Sequence, residues 1–452
     1  MNDFIEHKSK ECFEMQGMNR REFLWLSSMS ATGLLMGCAT NPVTGRQQLM
    51  LMSENQEIQV DHEYSPQQFS TDYGTLQDKT LSDYISRTGQ KMAKLTHRSH
   101  MPYSFHGVNA TYVNAYAFPG GSIAATRGIL LTFENEAELA GLLGHELGHV
   151  NARHTAEQMS KGMLTQAIVG GIAIYAGTQG EIYGQLASTL GMLGAGALLA
   201  KYSRDNEREA DALGMEYTVK SGYSSEGFVG LMDMLKSMSK HKTNALELLF
   251  ATHPMSEERY QTAVETARTQ YSSSKSSPVY RERYMDHTAN LRKIKGAITA
   301  MQLGEGAMAK QQYPEAEANY RKALKQVPDD YAGLVMMSKC QLAQKNHREA
   351  NRYAEMAKQV YPQEAQAYYV SGVSKIQKRS FDSAYADFSI YENMLPGNPN
   401  TIFYKGLALE RMQRRDQAAS EYYRYLKKVN QGGQAKHAYQ RLVEWGYVQP
   451  QG

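Results

Sequence analysis

Cysteine is scarce: Cys12, Cys38 and Cys340 are the three in 452 residues, far apart and in no CxxC spacing. That excludes a zinc ribbon and a disulfide framework. No block of five Lys or Arg occurs and the net charge is +3, so nucleic-acid binding has no electrostatic footprint and no strongly acidic partner is favoured. Long apolar runs are missing too. Residues 23–36 would cover about 21 Å as a helix, short of the roughly 30 Å hydrocarbon core of a bilayer. Gln179 and Glu181 interrupt the Gly-, Ala-, Ile- and Leu-rich stretch 163–202 before a full span develops. What is present is the 42% apolar and 21% charged balance of a globular chain, long enough for about two to four domains.

Asn19-Arg20-Arg21-Glu22-Phe23-Leu24, the apolar run and Leu35-Met36-Gly37-Cys38 follow the order of a signal peptide, so 1–37 reads as an export segment. Gly37-Cys38 resembles the lipobox of bacterial lipoproteins, whose cysteine is acylated and becomes the mature first residue. The paired arginines resemble a twin-arginine signal, a route for proteins exported already folded. A lipid on Cys38 implies a membrane anchor, and Ala39 after it implies, by the same resemblance, the outer membrane.

Ser53 can cap a helix, and Leu76, Leu81, Tyr84, Ile85 and Met92 give a second one its spacing. From Tyr103 to Thr126 an alternating Tyr, Val, Phe, Ala and Ile texture broken by Pro119-Gly120-Gly121 predicts two or three strands. Asn135, Glu136 and Glu138 start a helix that Leu139, Leu142, Leu143 and Leu147 carry inward. The Ser-rich stretch 272–277 has no apolar period. The division is therefore 39–270 for a first domain, 271–290 for a linker and 291–447 for the rest.

That last part repeats. Ala316, Ala350, Ala384 and Ala418 are 34 residues apart, and Pro328, Pro362 and Pro396 keep the step. Gly304, Gly372 and Gly406 share a third phase with Ser338 in the missing slot; Tyr320, Phe388 and Tyr422 share a fourth with Ala354 between. The pattern resembles the tetratricopeptide repeat, an α-solenoid of helix pairs, here about four and a capping helix.

His145 and His149 stand four apart in Gly144-His145-Glu146-Leu147-Gly148-His149, on one helical face, so both imidazoles can meet one ion with Glu146 beside it. A third ligand must come from elsewhere. Ser203 to Asp211 offers Glu207 and Asp211, again four apart, so that one can bind metal while the next accepts a ring N–H. Glu209 points elsewhere on that helix, and His154 reads as a solvated residue facing away from the pair.

HELGH, then ExxxD within SRDNEREAD, then Thr252-His253-Pro254 resembles the HtpX-like and CAAX-protease-like zinc metallopeptidases, of which periplasmic BepA-type members also carry tetratricopeptide repeats. Asn114 to Gly121 and Thr126-Arg127-Gly128 are similar to that family's strand and turn beside the cleft. The resemblance implies a mainly α, gluzincin-like metalloprotease domain with a small β-sheet. It implies one Zn2+ held by His145, His149 and Glu207, with Glu146 as general base and Asp211 behind a ligand. It also implies an edge strand, 114–118, that pairs with extended substrate. His253 then has two possible roles: donor to the developing oxyanion, ahead of Arg204, or fourth ligand that holds the enzyme latent. Stretch 163–202 can be a buried helix pair, a cover over the cleft or an amphipathic surface resting on the membrane beside the lipid anchor; the movable cover is the hypothesis taken forward.

The function implied is a zinc metalloendopeptidase of the bacterial envelope, lipid-anchored in the periplasm and acting in quality control of misfolded or unassembled exported proteins. The repeats would dock a protein partner, with outer-membrane assembly machinery suggested by the resemblance. The alternative is a chaperone or assembly scaffold with a mostly latent protease domain.

Overall fold

The computed structural model describes residues 38–169, 202–241 and 243–449. The export segment 1–37 and most of the stretch read as a cover lie outside the described residues. Among the described residues no helix is long and apolar enough to cross a membrane.

The chain opens with a hairpin, β1 (Cys38–Thr40) antiparallel to β2 (Gln47–Leu49). Helix α1 (Glu54–Thr71) starts at a capping box in which Ser53 and Gln56 satisfy each other's backbone N–H, and α2 (Lys79–Ala93) starts on the Asp78 side chain. The alternating segment forms β3 (Ser104–Val108), β4 (Ala115–Ala117) and β5 (Ser122–Thr126), in the order β3-β5-β4. β3 runs parallel to β5, and β4 lies antiparallel to it at the edge. A short helix α3 (Arg127–Leu130) leads to α4 (Glu136–Asn151), capped by Asn135 and buried along almost its whole length. Next come α5 (His154–Val169), α6 (Arg204–Lys220), α7 (Ser225–Ser239), α8 (Asn244–Thr252) and α9 (Glu257–Thr269).

Ser272–Ser274, within the stretch read as a linker, forms a 3-10 turn whose Ser274 is buried and accepts the Ser225 N–H. Short helices α10 (Arg281–His287) and α11 (Ala289–Lys293) continue onto the first domain, where the Tyr284 hydroxyl donates to the Leu130 carbonyl.

The helix pairs follow as α12 (Lys295–Ala309) with α13 (Tyr313–Gln326), α14 (Tyr331–Ala343) with α15 (His347–Val360), α16 (Gln366–Gln377) with α17 (Phe381–Met394), and α18 (Pro399–Arg411) with α19 (Arg415–Leu426). The last helix is α20 (Gly433–Glu444). The phases now have a physical reason. The four repeat alanines are fully buried. A Cβ at Gly304, Gly372 or Gly406 would come within 2.4–2.8 Å of Tyr320, Phe388 or Tyr422 respectively. Where Ser338 replaces the glycine, the aromatic is absent and Ser338 instead donates to the Ala350 carbonyl.

The repeats pack back on the first domain, and one apolar core runs through both. Arg127 and Asp330 form a buried pair at 2.6 Å. Thr111 donates to Glu305 and Ser70 to Glu364, while Lys339 lies over the Tyr73 ring at 4.8 Å. The first helices of the first three repeats thus face the first domain.

Candidate metal centre

Two helices meet here with little between them. A Cβ at Gly144 would lie 2.8 Å from the Gly214 carbonyl oxygen, and one at Gly148 would lie 2.9 Å from that of Ala210. These glycines let α4 and α6 approach backbone to backbone, which brings the Glu207 carboxylate up to the two histidines. His145 Nε2 and His149 Nε2 are 3.1 Å apart, and Glu207 Oε1 is 3.4 Å from His149 Nε2. The end of α8 contributes His253, whose Nδ1 is 3.4 Å from His145 Nε2 and 3.0 Å from Glu207 Oε1.

One donor atom from each of His145, His149, Glu207 and His253 lies within 4.8 Å of the others. Bonds of about 2.0–2.1 Å to a tetrahedral zinc would place donors roughly 3.3–3.4 Å apart; four of the spacings, at 3.0–3.4 Å, fit such an ion, while His145 Nε2 to Glu207 Oε2 is longer at 3.8 Å. Glu146 Oε2 is buried without a hydrogen-bond partner, a costly state for a carboxylate unless a ligand meets it. Burial holds the Glu146 carboxyl above its ordinary range. It also keeps His149 well below its own, in the neutral form that binds metals. Glu207 is the reverse case: burial would raise it, but His253, His149 and His145 hold it well below the usual carboxylate range.

Asp211 Oδ1 lies 3.0 Å from His145 Nδ1, the ring nitrogen other than the one that faces the donor cluster. Sequence reasoning missed what holds Asp211. Arg259 donates to both of its oxygens at 2.7 Å, sits 2.5 Å from Glu207 Oε2, and donates to the Pro254 carbonyl beside His253. Burial would raise Asp211, yet this guanidinium keeps it below its ordinary value. A signal existed: Arg259 falls in the first turn of α9, where the helix dipole disfavours a cation unless carboxylates face it. Tyr202 was missed as well; its ring stacks on His149 at 3.8 Å and its N–H donates to the Thr252 carbonyl.

One expectation is corrected. His154 is not solvated: it is 1% exposed and its Nδ1 lies 3.0 Å from His149 Nδ1. The turn between α4 and α5, with Arg153 at φ 61°, breaks the helical register that placed His154 on the far face. Glu209, read as pointing elsewhere on its helix, is outside the donor cluster and lies 3.5 Å from His154 Nε2. Arg204, the lesser candidate for the oxyanion, is exposed and outside the cluster.

Residues 80–267 match the model of peptidase family M48, and 307–372 match a tetratricopeptide repeat model. The chain is 34% identical over 181 residues to metalloprotease YcaL of Escherichia coli K12, covering 39% of this chain and 68% of that protein. The chain belongs to peptidase family M48. This M48 chain is also similar to the β-barrel assembly-enhancing proteases of Yersinia pestis, 29% identical over 190 residues, and of E. coli K12, 26% over 223. Those alignments cover 40% and 49% of this chain and span 38% and 45% of the two relatives' lengths.

Proposed function

We propose that this M48 chain is a zinc endopeptidase of the bacterial envelope that acts on exported or outer-membrane proteins. The observation that carries this is the set of four donor atoms within 4.8 Å of one another, next to the buried, unpartnered Glu146 Oε2. His145, His149 and Glu207 are the ligands in this reading. Bound zinc supplies Lewis acidity and an acidified water. Glu146 takes a proton at Oε2 and returns it to the leaving amine, while Asp211, held by Arg259, accepts the His145 Nδ1–H and fixes its tautomer. Glu146→Gln is expected to keep zinc and abolish casein cleavage; a Glu146→Gln protein that still cleaves would sink the assignment.

His253 is assigned to the fourth ligand position, because its Nδ1 sits at donor spacing from both His145 and Glu207. In that position it excludes the attacking water and keeps the enzyme latent until its loop moves. The same feature favours a second reading, in which a chaperone or assembly scaffold carries a mostly silent protease. Cellular rescue by Glu146→Gln would select the scaffold.

The envelope setting rests on the relatives' names and on the export and lipobox patterns, so unassembled outer-membrane proteins are the proposed substrates and lipidated Cys38 the proposed periplasmic anchor. β4, at an edge of its sheet, is the proposed rail for extended substrate. The repeats, taken as a domain over 291–447, dock a partner such as outer-membrane assembly machinery. Because the first three repeats already face the peptidase part, the fourth and its capping helix are the proposed docking region.

A further inference from the structure

The two histidines of the HExxH helix are supported in different ways. His145 Nδ1 meets the carboxylate of Asp211 directly, at 3.0 Å. His149 Nδ1 meets another imidazole, that of His154, also at 3.0 Å. Beyond His154 stands Glu209, 3.5 Å from Nε2, and Glu209 Oε1 accepts from Asn41 Nδ2 at 3.0 Å. Asn41 Oδ1 holds its own turn by accepting from Val43 and Thr44 N–H. Gln48, across the same hairpin, donates to the Ala152 carbonyl that ends the metal helix.

Proton positions along this chain follow from the metal reading, on which the inference rests. A neutral imidazole that uses Nε2 as ligand carries its hydrogen on Nδ1, so His149 donates and His154 Nδ1 must accept. His154 is then the Nε2–H tautomer, donating towards an ionised Glu209 that Asn41 holds in place. Both hydrogens therefore point outward from the metal, and each group has one acceptor waiting. We propose that His154 is the positioning residue for His149, backed by Glu209 and Asn41, and that the hairpin beginning at Cys38 is thereby part of the support of the metal centre.

Zinc affinity of the purified full chain, read by competition with a chromophoric chelator, tests this. Outer partners of metal-bound histidines cost about 10- to 100-fold in affinity when removed, and His154→Ala is expected to fall in that range. His154→Asn puts an amide oxygen close to the position of Nδ1 but cannot reach Glu209; it should recover affinity to within about threefold of wild type, and Glu209→Gln should lose only a few-fold. If His154→Ala does not fold when metal-free, His154→Phe fills the space without an acceptor and is expected to lose the same factor. Equal losses for Asn and Ala (or Phe), or affinity within twofold of wild type for His154→Ala, would overturn the positioning role. His145→Ala separates this from the parent reading: if wild type and His145→Ala bind zinc alike, the metal site itself is wrong, whatever His154 does.

Discussion

Glycine does the same job at two places in this molecule with different neighbours. Between α4 and α6 the atoms nearest a hypothetical Cβ are backbone, the Ala210 oxygen and Cα at 2.9 and 3.0 Å from Gly148. In the repeats they belong to a ring, such as Tyr320 against Gly304 or Tyr422 against Gly406. A ring can turn or shift within a solenoid that contacts only its neighbours. A helix backbone that carries Glu207 cannot move without moving its carboxylate relative to the two histidines. Close packing in the repeats therefore serves stability, whereas in the peptidase part it sets the position of Glu207.

The largest stability effect is expected at the join between these regions. Asp330→Ala leaves Arg127 buried without its partner, and breaking such a pair costs about 3–5 kcal/mol; thermal unfolding of the variant should show it. A loss near zero would mean that the two parts are not held by this contact.

The glycines sharpen the comparison at smaller magnitude. Gly304→Ala and Gly148→Ala should each cost about 1–3 kcal/mol by overpacking. They should differ in a second readout, because only Gly148→Ala is expected to weaken zinc binding. Equal zinc affinity in both variants would remove the distinction between ring and backbone neighbours.

The last effect is in pH. Burial lowers Lys339 to about 8, against the opposing pull of Glu305, Glu364 and Asp72. An unfolded lysine titrates near 10.4, so between about pH 8 and 10.4 the unfolded chain holds more protons and stability should rise with pH. Lys339→Met should flatten that slope in a series of thermal melts, while an unchanged slope would place its origin elsewhere.

The repeats were almost fully legible because a period of 34 residues repeats the same packing problem, and Ala316 or Gly304 answers it in the same way each time. The candidate donor cluster was legible because helical spacing is fixed, so His145 and His149, or Glu207 and the Asp211 that backs His145, share a face whatever surrounds them. Their supports were not. Arg259 reaches Asp211 across 48 residues of sequence and Asn41 reaches Glu209 across 168, and no local pattern encodes such meetings. His154 was misread because the spacing argument assumed an unbroken helix, and Arg153 at positive φ ends it. The folding back of the repeats is long-range in the same sense, resting on pairs such as Arg127 with Asp330.

The most direct test of the central claim is zinc content together with casein cleavage on the purified chain, comparing wild type, Glu146→Gln and His253→Ala. One zinc per chain in all three is expected from the single described donor cluster. Cleavage should be absent in Glu146→Gln and higher in His253→Ala than in wild type. A wild-type chain that binds no zinc, or cleavage that survives Glu146→Gln, would contradict it.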